Sequence, residues 1–151
     1  MGCDVHIFAE RKDKKYNYWE RVNLYRVNPD HSDLECVEPW EGRNYDLFSL
    51  LAGVRGCYES FDFPRGIPND VSLMVEKEYN SWGGECHSAS WYDLYELSLF
   101  IKGFIAEHPD DEIIPSLQGF YDSIIAYLEF AGEYIWSLKP NQYRIVFWFD
   151  N

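Results

Sequence analysis

Asp4 and His6 stand two apart in the opening stretch Met-Gly-Cys-Asp-Val-His-Ile-Phe-Ala-Glu. On an extended strand, side chains two apart project side by side. A carboxylate and an imidazole so placed can hold a metal ion, or work as a base and its orienting acid. Glu10 follows on the same face and is the candidate for assisting proton transfer. His87 and Asp150 are two more groups of ligand type. With Asp4 and His6 they form a nitrogen and oxygen set suited to zinc or manganese, and His87 is a second candidate base. Arg55 and Arg65 each precede a glycine in an otherwise acidic chain. As a pair they are candidates to clamp a phosphate or carboxylate. Ser88 is the candidate hydrogen-bond donor, and Trp91 the candidate stacking surface, for the same ligand. Each residue also has a plainer reading. His6 is then a satisfied imidazole on a solvated strand face, the arginines are surface ion-pair partners, and Trp91, Trp148 and Phe8 are core.

These groups need elements to carry them. The opening run alternates with period two: Cys3, Val5, Ile7 and Ala9 on an apolar face, Asp4, His6, Phe8 and Glu10 on the other. That predicts a strand over residues 2–11, paired as a hairpin with the aromatic stretch 18–22. Asn44 is a candidate cap for a short helix ending at Gly53 or Gly56. Residues 60–70, with Pro64, Gly66 and Pro68, read as a loop. Residues 70–79 fit a short helix or an extended piece equally. Residues 80–90, with Gly83-Gly84, read as a loop, and Ser90 as the cap of the next helix. Leu94, Leu97, Phe100, Ile101, Phe104 and Ile105 give that helix one apolar side. A long helix is predicted over 116–137. The closing run 142–150 is a strand with Tyr143, Ile145, Phe147 and Phe149 on one face, and its pairing with the opening strand would bring Asp150 to Asp4 and His6. Strands at both ends with helices between predict one α+β domain over residues 1–151, a small sheet packed by two long and one or two short helices.

Composition limits the function classes. Aromatics make up 19% of the chain, so a folded core is expected. The formal charge of −13 repels phosphate backbones, so direct nucleic-acid binding is not expected. There is no apolar run long enough for a bilayer and no signal-peptide pattern, so the expected location is cytoplasmic, with no membrane partner. Cys3, Cys36, Cys57 and Cys86 lack Cys-x-x-Cys spacing and read as free, buried thiols.

The opening Met1-Gly-Cys-Asp-Val-His6 resembles a family of uncharacterised phage and bacterial proteins that open Met-Gly-Cys-Asp-Ile-His. The stretches 51–55 (Leu-Ala-Gly-Val-Arg), 64–68 (Pro-Arg-Gly-Ile-Pro), 87–91 (His-Ser-Ala-Ser-Trp) and 144–151 (Arg-Ile-Val-Phe-Trp-Phe-Asp-Asn) are similar to that family's in the same order. Ala89 departs from it, standing where the family carries a second His. The resemblance implies a phage product at work in a host cytoplasm and transfers no activity. From the residues, the first expectation is a metal-assisted hydrolase of a phosphoester or nucleotide-like anion. The second is a binder without chemistry, sequestering a nucleotide signal of host defence. The third is an acidic mimic of nucleic acid.

Overall fold

In the computed structural model, which describes residues 2–135 and 139–151, the closing stretch becomes the middle of the sheet. Among the described residues, ten α-helices and β-strands are set out along the chain. They are β1 (Val5–Lys12), β2 (Trp19–Arg21), β3 (Tyr25–Val27), β4 (Leu34–Cys36), α1 (Tyr45–Ala52), α2 (Leu73–Trp82), β5 (Cys86–Asp93), α3 (Leu94–Glu107), α4 (Ile114–Phe130) and β6 (Tyr143–Asp150). Four strands pair antiparallel in the order β2-β1-β6-β5, and β3 and β4 form a separate ribbon. The fold is α+β, with the first and last strands side by side, as the topology of strands at both ends suggests. Val5 lies across from Phe149 and Glu10 across from Arg144.

Both faces of β6 are covered. Tyr143, Ile145, Phe147 and Phe149 pack with Leu47, Phe48, Leu97, Leu117, Phe120 and Ile124 from α1, α3 and α4. Val146 and Trp148 pack on the other side with Phe8, Val75 and Ala89, beneath α2. The apolar face of β1 is core as expected, with Cys3 and Ile7 fully buried. Each such side chain contributes roughly 1.5–3 kcal/mol by leaving water. The opposite face of β1, which alternation alone would leave in solvent, is half covered by α2.

Local chemistry sets the helix ends. Asn44 accepts the Leu47 N–H at the start of α1, and Gly53 closes it at φ 70°, a left-handed conformation suited to glycine. Ser72 caps α2 through the Val75 N–H, so the ambiguous segment 70–79 is a helix reaching Trp82. Asp93, not Ser90, caps α3, and with Glu96 it forms a reciprocal capping box. Ser90 is instead fully buried in β5, where its Oγ accepts the Arg65 N–H at 3.1 Å. The long helix runs over Ile114–Phe130, two residues earlier and several shorter than expected. Residues 136–138 of the expected range lie outside the described residues.

Strand β5 replaces an expected loop because a bulge hides its alternation. His87 lies across from Phe149 and Ser90 across from Phe147. Two residues, Ser88 and Ala89, therefore share the place opposite Trp148. Ser88 takes φ 55°, a conformation that side-chain-bearing residues rarely adopt.

Candidate functional site

The β1–β6 register brings His6 and Asp150 together. His6 Nε2 lies 2.8 Å from Asp150 Oδ2. The Asp4 N–H donates to Asp150 Oδ1 at 3.1 Å, and the Asp150 N–H to the Asp4 carbonyl at 3.0 Å, so the backbone fixes the carboxylate. A third acid completes the group. β2 pairs only with residues 10–12, which leaves the first half of β1 without a strand on its outer edge. Glu38 fills that edge, accepting the Ile7 N–H at 2.9 Å, with its Oε1 3.8 Å from His6 Nδ1. Trp82, at the end of α2, places its ring 4.3 Å from the imidazole. The His6 side chain stays 22% exposed, enough for a ligand to reach it.

The two acids are tuned in opposite directions. Burial pushes the Asp150 carboxyl up, but the bonds from His6 and the Asp4 N–H outweigh it and hold the group below the usual range. Burial raises Glu38, and the Ile7 N–H and the His6 charge only temper that rise. An ionised Asp150 takes the Nε2 proton of His6 as its hydrogen bond. Nδ1 is then the ring nitrogen that faces Glu38, an acid raised by burial. An imidazole with one carboxyl group bonded to Nε2 and a second facing Nδ1 is an arrangement able to support acid–base chemistry.

The other candidates fall elsewhere. The Asp4 side chain turns to Arg43, which donates to Oδ1 through Nε at 2.9 Å and Nη2 at 2.8 Å. His87 lies on the opposite face from His6, its ring 6.2 Å from that of Phe149. Its Nδ1 is 3.0 Å from Ser88 Oγ, and its Nε2 is buried without a partner among the described residues. The four expected ligands thus stay apart in two groups. Among the described residues, no group of three or more His, Cys, Asp or Glu is placed to hold a metal ion. Glu10 is fully buried; its Oε1 accepts from Arg144 Nε at 2.7 Å and its Oε2 from the Ser72 N–H at 2.8 Å. It is a structural partner, sealed from any ligand.

The two candidate arginines do not form a clamp. Arg65 is held by Glu96 at 2.6 and 3.1 Å and by Asp62 at 3.1 Å, and it donates to the Trp91 carbonyl at 3.0 Å. Its guanidinium stands 5.0 Å from the half-buried Trp91 ring, so those two residues do meet. Arg55 is exposed at φ 65°, 5.8 Å over Tyr45, with no carboxylate bonded to it among the described residues. Its charge acts on the Cys3 thiol together with those of Asp150, Asp4 and Arg43. Arg43 acts on Asp150 by its charge and so stands beside the His6–Asp150 pair, whereas Arg55 lies over Tyr45 near Cys3 and Arg65 lies elsewhere.

No family model, no curated protein and no solved structure matches this chain. The site therefore rests on its own geometry. Residue reasoning missed Glu38, Trp82, Arg43 and the Arg144 network. Arg144 had a signal: a charge at an inward position of an apolar strand calls for a buried partner. Glu38 had none, because it sits in an irregular acidic segment that nothing local aligns with β1. The four thiols are free, but Cys57 is exposed and only Cys3 is fully buried. Among the described residues, no helix is long and apolar enough to cross a membrane.

Proposed function

We propose that this protein acts on a small anionic, phosphoester- or nucleotide-like ligand, with His6 as its acid–base group. The observation that carries the reading is the 2.8 Å His6–Asp150 contact with Glu38 on the other ring nitrogen. Asp150 orients the imidazole, and Nδ1 accepts a proton from an attacking water or returns one to a leaving oxygen. Arg43, whose charge already acts on Asp150, supplies the local positive field that attracts the anion. Zinc or manganese is an alternative aid: it would have to displace the His6 Nε2–Asp150 hydrogen bond, with those two residues as ligands and the substrate and water supplying the others. The resemblance to phage proteins gives the setting, a nucleotide-like signal in a host cell.

The test is turnover of a phosphodiester and nucleotide panel, with chelator and with added zinc or manganese, followed by recovery of the ligand from denatured protein. Altered ligand from wild type, and none from His6→Gln, is the expected result. Ligand bound but returned intact would replace catalysis by sequestration. Absence of both turnover and binding across the panel would end the reading. His6→Gln deletes no core volume and should change stability by no more than about 1 kcal/mol. Ile7→Ala, on the core face of the same strand, should cost about 2–5 kcal/mol while any folded protein keeps its activity.

A further inference from the structure

Away from His6, at the far end of the face beneath α2, lies an open cleft of about 770 Å³. Glu10 marks its end of β1, four residues from His6, which is roughly 13 Å along a strand. The cleft is built around Arg144. That guanidinium stands 4.0 Å from the Trp19 ring and 5.6 Å from the Trp91 ring. It donates to Glu10 Oε1, to Asp70 Oδ1 at 2.8 Å and to the Asp70 carbonyl at 3.3 Å. Trp19 Nε1 donates to the other Asp70 oxygen at 3.1 Å. Arg65, on the same wall, is occupied by Glu96 and Asp62 as described.

We propose that this cleft is a binding site for a neutral saccharide. Both arginines already spend their donors on carboxylates, so no free guanidinium awaits a phosphate. The carboxylates are engaged too: Asp70 accepts from Arg144 and Trp19, and Asp93 accepts the Glu96 N–H as a helix cap. With each guanidinium and each carboxylate of the lining already bonded, the cleft offers no free charged group to an anion or a cation. What remains suits hydroxyl and amide groups. The Asn69 and Asn141 side chains each offer a donor and an acceptor at the cleft. Trp19 and Trp91 are half-buried, and the part of each indole not covered by Arg144, Lys12 or Arg65 is left for the C–H face of a sugar ring. An open cleft with aromatic surface and a few convergent polar groups is the form such a ligand needs.

The probe is a neutral N-acetylated hexosamine trisaccharide, with a nucleoside monophosphate and a polyamine as comparisons. The readout is the indole N–H signals of isotope-labelled protein. Wild type should show the Trp19 and Trp91 signals moving with saccharide at millimolar concentration or below, and unmoved by the other two. Asn69→Ala/Asn141→Ala changes two surface side chains, keeps the fold, and should weaken saccharide binding at least tenfold. No movement up to about 10 mM saccharide, which corresponds to less than about 2.7 kcal/mol of binding, would overturn the proposal. So would stronger response to the nucleotide or polyamine, or undiminished binding by the double variant. Because His6 is not involved, His6→Gln should bind the saccharide normally even if the acid–base reading fails.

Discussion

Glu38 and Asp150 flank one imidazole, yet they make opposite demands on pH. Asp150 is held below the usual carboxylate range, so its contribution to stability is complete above that range and fades as pH falls through its folded value, below about pH 4. Glu38 is raised by burial, so the native state prefers its protonated form. Its contribution is present in acid and lost as pH rises through its folded value. Glu38→Gln keeps an acceptor for the Ile7 N–H and removes the buried charge. At pH 7 the variant should be at least as stable as wild type in urea unfolding. A loss beyond about 1 kcal/mol would show that the ionised carboxylate holds β1 in place. At this scale the sequence was half legible. The pairing of His6 with Asp150 follows from two alternating strands and one assumption about their pairing. Glu38 and Arg43 do not, since each reaches the site from irregular chain whose path only tertiary packing decides. The expected place of His87 beside His6 failed for a countable reason: it sits on the opposite face of the sheet.

Elements were legible where caps and periodicity agreed. Asn44 and Gly53 bound α1 as their chemistry predicts. β5 was unreadable because one additional residue broke its alternation, and its His, Ser and Ala composition resembles a loop. Deleting Ser88 tests that account. His87, Ala89 and Ser90 would then face Phe149, Trp148 and Phe147 in an unbroken ladder, with every other side chain on its present face. The deletion should fold, and relief of the left-handed serine should offset roughly 1–3 kcal/mol of whatever the lost His87–Ser88 contact costs. Circular dichroism and urea unfolding decide it; an unfolded product would mean the bulge itself seats β5. The junction of β1, β6 and α2 is less forgiving. Glu10 bonds both Arg144 and the Ser72 N–H at the start of α2. Glu10→Ala would leave a buried guanidinium and a helix end short of a partner, and should cost about 3–5 kcal/mol by the same measurement.

The whole molecule carries 26 acidic against 13 basic side chains, and that excess repels itself in the folded state. The buried Arg144–Glu10 pair is screened little by salt, whereas the surface field is screened strongly. Raising ionic strength from about 0.01 M to about 0.15 M should therefore move the urea midpoint upward. A downward shift would mean that exposed ion pairs such as Arg26–Glu35 outweigh the repulsion. The sheet order has a further consequence, for synthesis. β1 finds its partner in β6, with His6 opposite Trp148, and β5 finds its partner there too. At about 5–20 residues per second, the ribosome makes β1 some seconds to half a minute before the strand it pairs with exists. Through that interval Cys3, Val5, Ile7 and Ala9 have no sheet to close over them. The nascent chain is a client for whatever shields apolar segments in the cell, and it stays one until the central strand emerges.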